Sequence, residues 1–562
     1  MIDAMRRLLA LISIALATAI QAAAGILSER VYISTDRGTY LAGERVWCSA
    51  FCLEASEGAR LSDASSIAYF ELHSSEGMAL SGRIALCGGR GEGCFTLPET
   101  LPTGNYRLVA YTALTLGEKG VDFSSLSRTI SVINPSSTRR VRGGVVISSD
   151  APVPASLDED AGPLTLETSK AGKSSVMDLR ISNPSSSQAS LCVSVYCDDS
   201  LEEPQSQDIT GFRKAVRPGS SDAVPEYDGE IIRAHVAGVD RSEIGSFAGR
   251  NAFISVPGDM GDVYCAEIQP DGTVEFYTDN IYGSKDMVCE IEGLPEDARG
   301  HIEIDSPFAG VSVGEIPPLT LRPSQADAIL ERKAASEISA AWDSDTLRER
   351  LPARYNRLFG DEVISYRLDD YTRFPLMREV ITEFVQELRV RKDEDGNPDI
   401  EVRLQDNYDL MHFSSGRSLI LLDGVPVFDR SKILDYDPLL VESVNIYPYV
   451  YNVGSRSFCG VVDFVTYKRN LSGMKFSDNV RVYSYDGAPV PTAYTCSTLE
   501  SSDSYPDERQ TAYWHPSVEV QPSDTRTLQC RLPSYAGTFR IVIEGLLDDG
   551  TPVRIVRKVK SE

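Results

Sequence analysis

The sequence predicts a mainly β protein: β-sandwiches in series, a helical connector and a small α/β domain. Three observations carry that reading. Six Asp-Gly pairs, opening at Asp228, Asp271, Asp395, Asp423, Asp486 and Asp549, punctuate runs rich in Val, Ile and Tyr, and Asp-Gly between alternating runs is the hairpin signal. Those runs place apolar residues at every second position, which suits a strand with one buried face. They are also short and evenly spaced over 562 residues, too long a chain for one core and long enough for several sandwiches.

From the N-terminus, residues 1–24 predict a secretory signal peptide. Arg6-Arg7 precedes an apolar stretch, residues 8–20, and the small-residue exit Gln21-Ala22-Ala23-Ala24-Gly25. The stretch is too short for a transmembrane helix, which needs about 20 apolar residues, and no other segment reaches that length. The first cysteine is Cys48, so no lipid anchor is expected at the mature N-terminus. The net charge of −27 argues against a nucleic-acid partner, whose phosphates would repel it; otherwise it reads as solubility.

Residues 26–135 form the first expected sandwich, with strands at 45–51, 67–72 and 106–112. The linker Asn134-Pro135-Ser136-Ser137 leads to a second sandwich at 142–222 and a third at 223–320. Residues 321–372 predict a helical connector. Ser324 is placed to cap a helix running through Trp342 with Ile329, Leu330 and Ile338 apolar, and Ser344 to cap a second. Residues 373–470 predict an α/β domain: Pro375 at the first helical position, Met377, Val380, Ile381 and Phe384 on one apolar face, then strands. A last sandwich is expected at 476–562.

Two resemblances rest on particular residues. Tyr32, Asp36, Tyr40, Gly43-Glu44-Arg45-Val46-Trp47 and the later Leu101-Pro102-Thr103-Gly104-Asn105-Tyr106 resemble the macroglobulin-type β-sandwich. The second, third and last units fit that class more loosely, and the third equally fits the small sandwich of carboxypeptidase regulatory domains. Residues 417–427, with Leu421-Leu422-Asp423-Gly424-Val425-Pro426, then 441–447 and Gly460-Val461-Val462-Asp463-Phe464, resemble the plug domain of TonB-dependent outer-membrane receptors. A transmembrane barrel takes several hundred residues of roughly ten-residue strands, whereas about 90 residues follow Lys468. The resemblance therefore implies a plug-like fold without its barrel, in the manner of exported Gram-negative envelope proteins that combine the two module types.

Chemistry is sparse. Gly310-Val311-Ser312-Val313-Gly314 matches G-x-S-x-G, but a nucleophile elbow needs strand, turn and helix. Val311 and Val313 alternate like a strand, and Pro317-Pro318 follows. His412 and His515 are the nominal triad partners. The acidic run 393–399 lacks the alternate-position ligands of a calcium loop and reads as a hairpin turn. Asp369-Asp370 and Glu202-Glu203 read as surface charge. The macroglobulin thioester sequence is absent, since Gly93-Cys94 runs into Phe95-Thr96. Trp47, Trp342 and Trp514 read as buried or connector-bound rather than as a sugar platform.

Eleven cysteines allow a bridge between Cys87 and Cys94 or between Cys265 and Cys289. Cys48 and Cys52 lie about 13 Å apart on one strand, beyond the ~7 Å a bridge spans. The bland alternative is that most are small buried hydrophobes.

No cofactor or metal is expected. Tyr447, Tyr449 and Tyr451, at period two, are candidate partner-binding residues, with core packing against the helix at 375–385 as the alternative. Asp423, opening the plug-like turn, is the fourth candidate. The expected function is an exported, non-enzymatic scaffold of the periplasm, outer membrane or cell surface, binding a barrel protein or another envelope protein. The alternatives are a ligand-binding accessory of TonB-dependent transport and an envelope serine hydrolase acting through Ser312.

Overall fold

The computed structural model describes residues 27–149, 159–169, 172, 175–201, 207–258, 262–279, 281–341, 349–350, 359–360, 362–393, 396–405, 411–413, 416–490, 492–493 and 507–561. The expected signal peptide, Glu202-Glu203, Trp342 and the helix start at Ser344 lie outside them. The chain is mainly β and divides into two compact units: residues up to 229 with 308–353 and 488 onward, and residues 230–307 with 354–487.

The first unit opens with an eight-stranded sheet in the order Glu29–Thr35, Arg45–Glu54, Arg90–Thr96, Gly77–Cys87, Ile67–Ser74, Gly104–Tyr111, Arg128–Ile133, Thr39–Leu41. Val31 also pairs with Ala110, so the sheet folds back on itself. Its interior holds Val31, Ile33, Val46, Phe70, Tyr106 and Ile130. All seven residues of Glu29–Thr35 are buried, because its outer face is covered too. Tyr32, Trp47 and Phe51 pack there with Phe212, Trp514 and Leu546.

Phe212 lies on the short helix Ile209–Ala215, and Trp514 and Leu546 belong to a second sandwich. Its larger sheet runs Glu159–Ala161, Pro552–Ser561, Gly537–Leu547, Ala189–Cys197, Thr511–Val520, and it faces Thr165–Thr168, Val176–Asn183 and Asp524–Arg531. Met177, Leu179, Leu191, Val193, Ile541 and Ile543 fill the space between them. The spans 142–222 and 476–562, expected as separate sandwiches, therefore contribute to one. Ala189–Cys197 lies between two strands from the far end of the chain, and all its residues but Cys197 are buried, as in a central strand covered on both faces.

A single-turn helix, Pro323–Gln325, leads into the helix Ala326–Ala341. Gln325 rather than Ser324 closes the entry, its Oε1 accepting from the Arg322 N–H at 2.8 Å. Ile329 packs inward with Leu41 and Leu319, while Leu330 is 61% exposed. Arg332 anchors the helix, donating to Asp199 and to the Thr39 carbonyl at 2.9 Å each.

The second unit pairs a small sandwich with an α/β layer. Thr273–Tyr277, Ile231–Ala237 and His301–Ile304 face Asp262–Glu267, Asn251–Val256, Ser284–Ile291 and Arg481–Asp486. The last of these, expected to open the C-terminal sandwich, instead adds an edge here. A five-stranded sheet follows in the order Ile364–Arg367, Val441–Val453, Arg456–Thr466, Leu419–Leu422, Val425–Pro426. The helices Met377–Glu383 and Arg430–Leu434 pack on one of its faces through Met377, Val380, Ile381 and Ile433, over Val444, Ile446 and Phe464. Pro375 precedes the first helix by two residues rather than opening it.

Candidate functional site

The Asp423-Gly424 turn shows why its residue types are needed. Both residues have positive φ, +48° and +82°, the geometry of the tight hairpin turns that Asp-Gly favours. Asp423 is fully buried. Its carboxylate accepts from the Thr466 N–H at 2.6 Å, the Thr466 hydroxyl at 2.7 Å and the Leu471 N–H at 2.8 Å. The group is consumed within the chain and presents nothing to a partner. Beside it the Gly424 N–H donates to Asp463 at 3.1 Å. Burial pushes the Asp463 carboxyl up to about 7, and the Asp423 charge adds to that.

The tyrosine row is broken in the middle. Tyr447 pairs with Val461 but Val450 pairs with Cys459, so the strand carries one extra residue between them and Tyr449 falls in a bulge. Tyr447 and Tyr451 remain on one face, their rings 6.4 Å apart and perpendicular, each within 5.4 Å of Phe359. They pack toward Phe253, Val263 and Phe458. That is the face opposite the Met377–Glu383 helix, so the expected alternative of packing against this helix does not hold. All three tyrosines are half-buried and keep an accessible edge, next to Val450 at 59% exposure.

The G-x-S-x-G segment is a strap, not an elbow. Val311 and Val313 are buried against Ile67, Tyr69 and Val109, and Ser312 points outward. No helix follows among the described residues 314–318. Glu71 grips the strap, accepting from the N–H groups of Gly310 at 2.9 Å and Val311 at 3.0 Å, while Tyr111 and His73 donate to it at 2.5 and 2.7 Å. Burial alone would raise its pKa, but these four donors outweigh that and hold the carboxyl at about 2. His515 sits in Thr511–Val520, where its Nδ1 accepts the Ser517 N–H at 3.3 Å. His412 belongs to the second unit, in Met411–Phe413.

The other sequence candidates are structural. Asp393 closes a hairpin with Asn397 through reciprocal 2.8 Å bonds; Glu394 and Asp395 lie outside the described residues, and among those described no cluster of three acidic, His or Cys residues forms a metal site. Asp369 accepts from the Tyr467 hydroxyl at 2.6 Å and from Arg373. Trp47 and Trp514 are buried. The ten described cysteines are free thiols, including Cys87, Cys94, Cys265 and Cys289, so neither contemplated bridge forms; six of the ten are buried.

What the sequence reading missed is a cavity of about 490 Å³ in the second unit. Phe428 and Phe476 give it apolar surface, and Glu290, Lys432, Glu296 and Asn479 give it polar groups. Lys432 is spoken for, 2.7 Å from Glu296 and donating to Ser477 at 2.9 Å. Arg417 reaches Glu292 at 2.7 Å. Burial pushes the Glu290 carboxyl up to about 8 against the pull of Lys432, so near neutral pH it is a hydrogen-bond donor. Asn479 is 2% exposed and its side-chain oxygen has no hydrogen-bond partner. No motif marks these residues, which converge from four separate segments.

A scan against family models finds no match, and no curated protein matches the chain. Among solved structures, the chain is similar to Escherichia coli alpha-2-macroglobulin in its native conformation, at 10% identity over 96% of this chain and 40% of that one, with a TM-score of 0.24. Trypsin-activated alpha-2-macroglobulin from Escherichia coli gives 10% identity, 95% and 42% coverage and 0.23. A point mutant of Salmonella alpha-2-macroglobulin gives 8%, 95% and 39%, and 0.23. The chain thus spans about two fifths of the length of these proteins. With TM-scores this far below 0.5, the likenesses carry no weight for the function of this chain.

Proposed function

We propose that the chain is an exported, non-catalytic binding scaffold that docks a protein partner at the outer membrane, foremost a barrel protein. The observation that carries this reading is the hairpin Val441–Val453 with Arg456–Thr466. Tyr447 and Tyr451, packed on Phe359, form with exposed Val450 an aromatic edge, the kind of surface that supplies binding hot spots. The signal-like residues 1–24 support export. The sequence signatures of macroglobulin-type sandwiches and of a receptor plug support an envelope scaffold.

Affinity capture from detergent-solubilised outer membranes tests it. The full chain should retain a barrel protein and Val450→Asp should release it; recovery of no membrane protein by the unaltered chain would sink the proposal. A second reading, a ligand-binding accessory of TonB-dependent transport, is favoured by the cavity alone.

A further inference from the structure

We infer that the 490 Å³ cavity is a binding site for a primary ammonium carried on an apolar stem, received by the carboxyl of Glu290. Glu290 follows Val288 by two residues in the strand Ser284–Ile291, so their side chains leave the strand on one face. Val288 is buried there against Val425 and Val480, and Val480 and Glu290 both line the cavity. The Glu290 carboxyl makes no hydrogen bond or ion pair with the described residues. It is half-buried, and neither of its oxygens is sealed off.

The other charges of the wall are offset. Lys432, which attracts Glu290, is held by Glu296 at 2.7 Å and by Ser477 at 2.9 Å. Arg417 is held by Glu292 at 2.7 Å, and Arg456 shares that carboxylate at 3.0 Å. Asp429 and Lys475 stand exposed at the rim without ion-pair partners among the described residues, and their opposite signs cancel. Ionised Glu290 is left without a counter-charge in a partly dry site, where a cation gains more than in open water. The net charge of −27 draws cations toward the chain as a whole.

Phe428 and Phe476 line the same cavity and supply apolar surface for the stem. The volume falls within the usual range for small-ligand sites. Burial raises the Glu290 pKa to about 8, with Lys432 opposing and Glu292 reinforcing, so the empty site keeps a proton near neutral pH. An arriving ammonium displaces that proton to solvent, and no other bond changes. Affinity therefore rises with pH up to about 8. Glu296, Arg417, Asp429 and Lys475 complete the charged wall, and Glu290→Gln separates its titration from theirs. The inference stands apart from docking to a barrel protein, which could fail and leave it intact.

The test titrates the full chain by isothermal calorimetry, at about pH 6 and about pH 8, with n-hexylamine, n-hexanol, hexanoate and Nα-acetyl-lysine-methylamide. Both amines stay charged at these values, since amines of the lysine type titrate near about 10.4. At the higher pH hexylamine should bind, with hexanol and hexanoate about tenfold weaker or more. Its affinity should fall about tenfold or more at the lower pH. Glu290→Gln removes a buried charge, so it should keep its unfolding temperature while losing both the pH dependence and most of the binding. Phe476 is 39% exposed, and Phe476→Ala should also fold and weaken hexylamine. Tighter binding of the lysine derivative than of hexylamine assigns the site to a protein's lysine side chain, the reverse to a free amine, and either upholds the proposal. No hexylamine binding at about 1 mM, equal binding of hexanol or hexanoate, or a pH dependence that survives Glu290→Gln would each overturn it.

Discussion

The Tyr32 hydroxyl donates to the Glu544 carboxylate at 2.9 Å, joining residues 512 positions apart. Glu544 is 1% exposed and also accepts from Ser34 at 2.7 Å and from Arg554 at 2.5 Å. Nearby, Asp36 accepts from the Thr511 hydroxyl at 2.5 Å. The first sandwich is thus latched by polar bonds, as well as by Trp47 and Phe51, to strands from the end of the chain.

That latch predicts a large effect from one substitution. Removing one partner of a buried ion pair costs about 3–5 kcal/mol, because the other charge is left unpaired. Glu544→Ala should destabilise the first unit by that amount in urea unfolding, and Glu544→Gln by less. A loss under about 1 kcal/mol for Glu544→Ala would show the latch to be ornamental.

Glu71 predicts the behaviour of the strap. Its carboxyl titrates at about 2 in the fold against an ordinary 4.5, so the stability it contributes is fully present above pH 4.5 and fades as pH falls toward 2. Glu71→Gln removes a charged acceptor, and hydrogen bonds to charged groups are worth about 1.5–3 kcal/mol. Hydrogen exchange at Gly310 and Val311 should therefore quicken at least tenfold. Unchanged protection would contradict the account.

Asp463 has the opposite sign. Its pKa rises from 3.8 to about 7 in the fold, so between those values the unfolded chain sheds a proton that the folded chain keeps. Stability falls with rising pH across that window and levels off above about 7. Asp463→Asn keeps an oxygen for the Gly424 N–H and removes the penalty. It should stabilise the second unit by roughly 1–3 kcal/mol at pH 8 and by little at pH 4, read by thermal unfolding at both values. Equal effects at the two would refute the assignment.

How much of this was legible varies by element. The strands holding Tyr32, Tyr40, Trp47 and Tyr106 were, because these residues sit at strand spacing between turn residues. So was the Asp423-Gly424 turn, whose left-handed backbone only a few residue types tolerate. Partners were not legible. Alternation says which side of Ala189–Cys197 faces a core, but not that its neighbours begin at Thr511 and Gly537. Nor does it reveal that Arg481–Asp486 joins the sheet of Ser284–Ile291. The bulge that displaces Tyr449 leaves no mark in the period, and the cavity in the second unit is lined by segments distant in sequence.

The cysteines offer a simple check of packing. Burial raises the pKa of the Cys48, Cys52 and Cys289 thiols, Cys289 to about 12, and so suppresses the reactive thiolate. Cys87 is exposed. In the native protein a maleimide should label Cys87 quickly and those three only on unfolding. Fast native labelling of Cys289 would contradict the second unit's core.

The most direct test of the scaffold reading places a photoreactive phenylalanine analogue at Tyr449, in the bulge beside Val450, and irradiates intact cells. The account predicts a covalent adduct with an outer-membrane barrel protein, lost when Val450→Asp is added. An adduct that never forms, or that contains soluble periplasmic proteins alone, would contradict it.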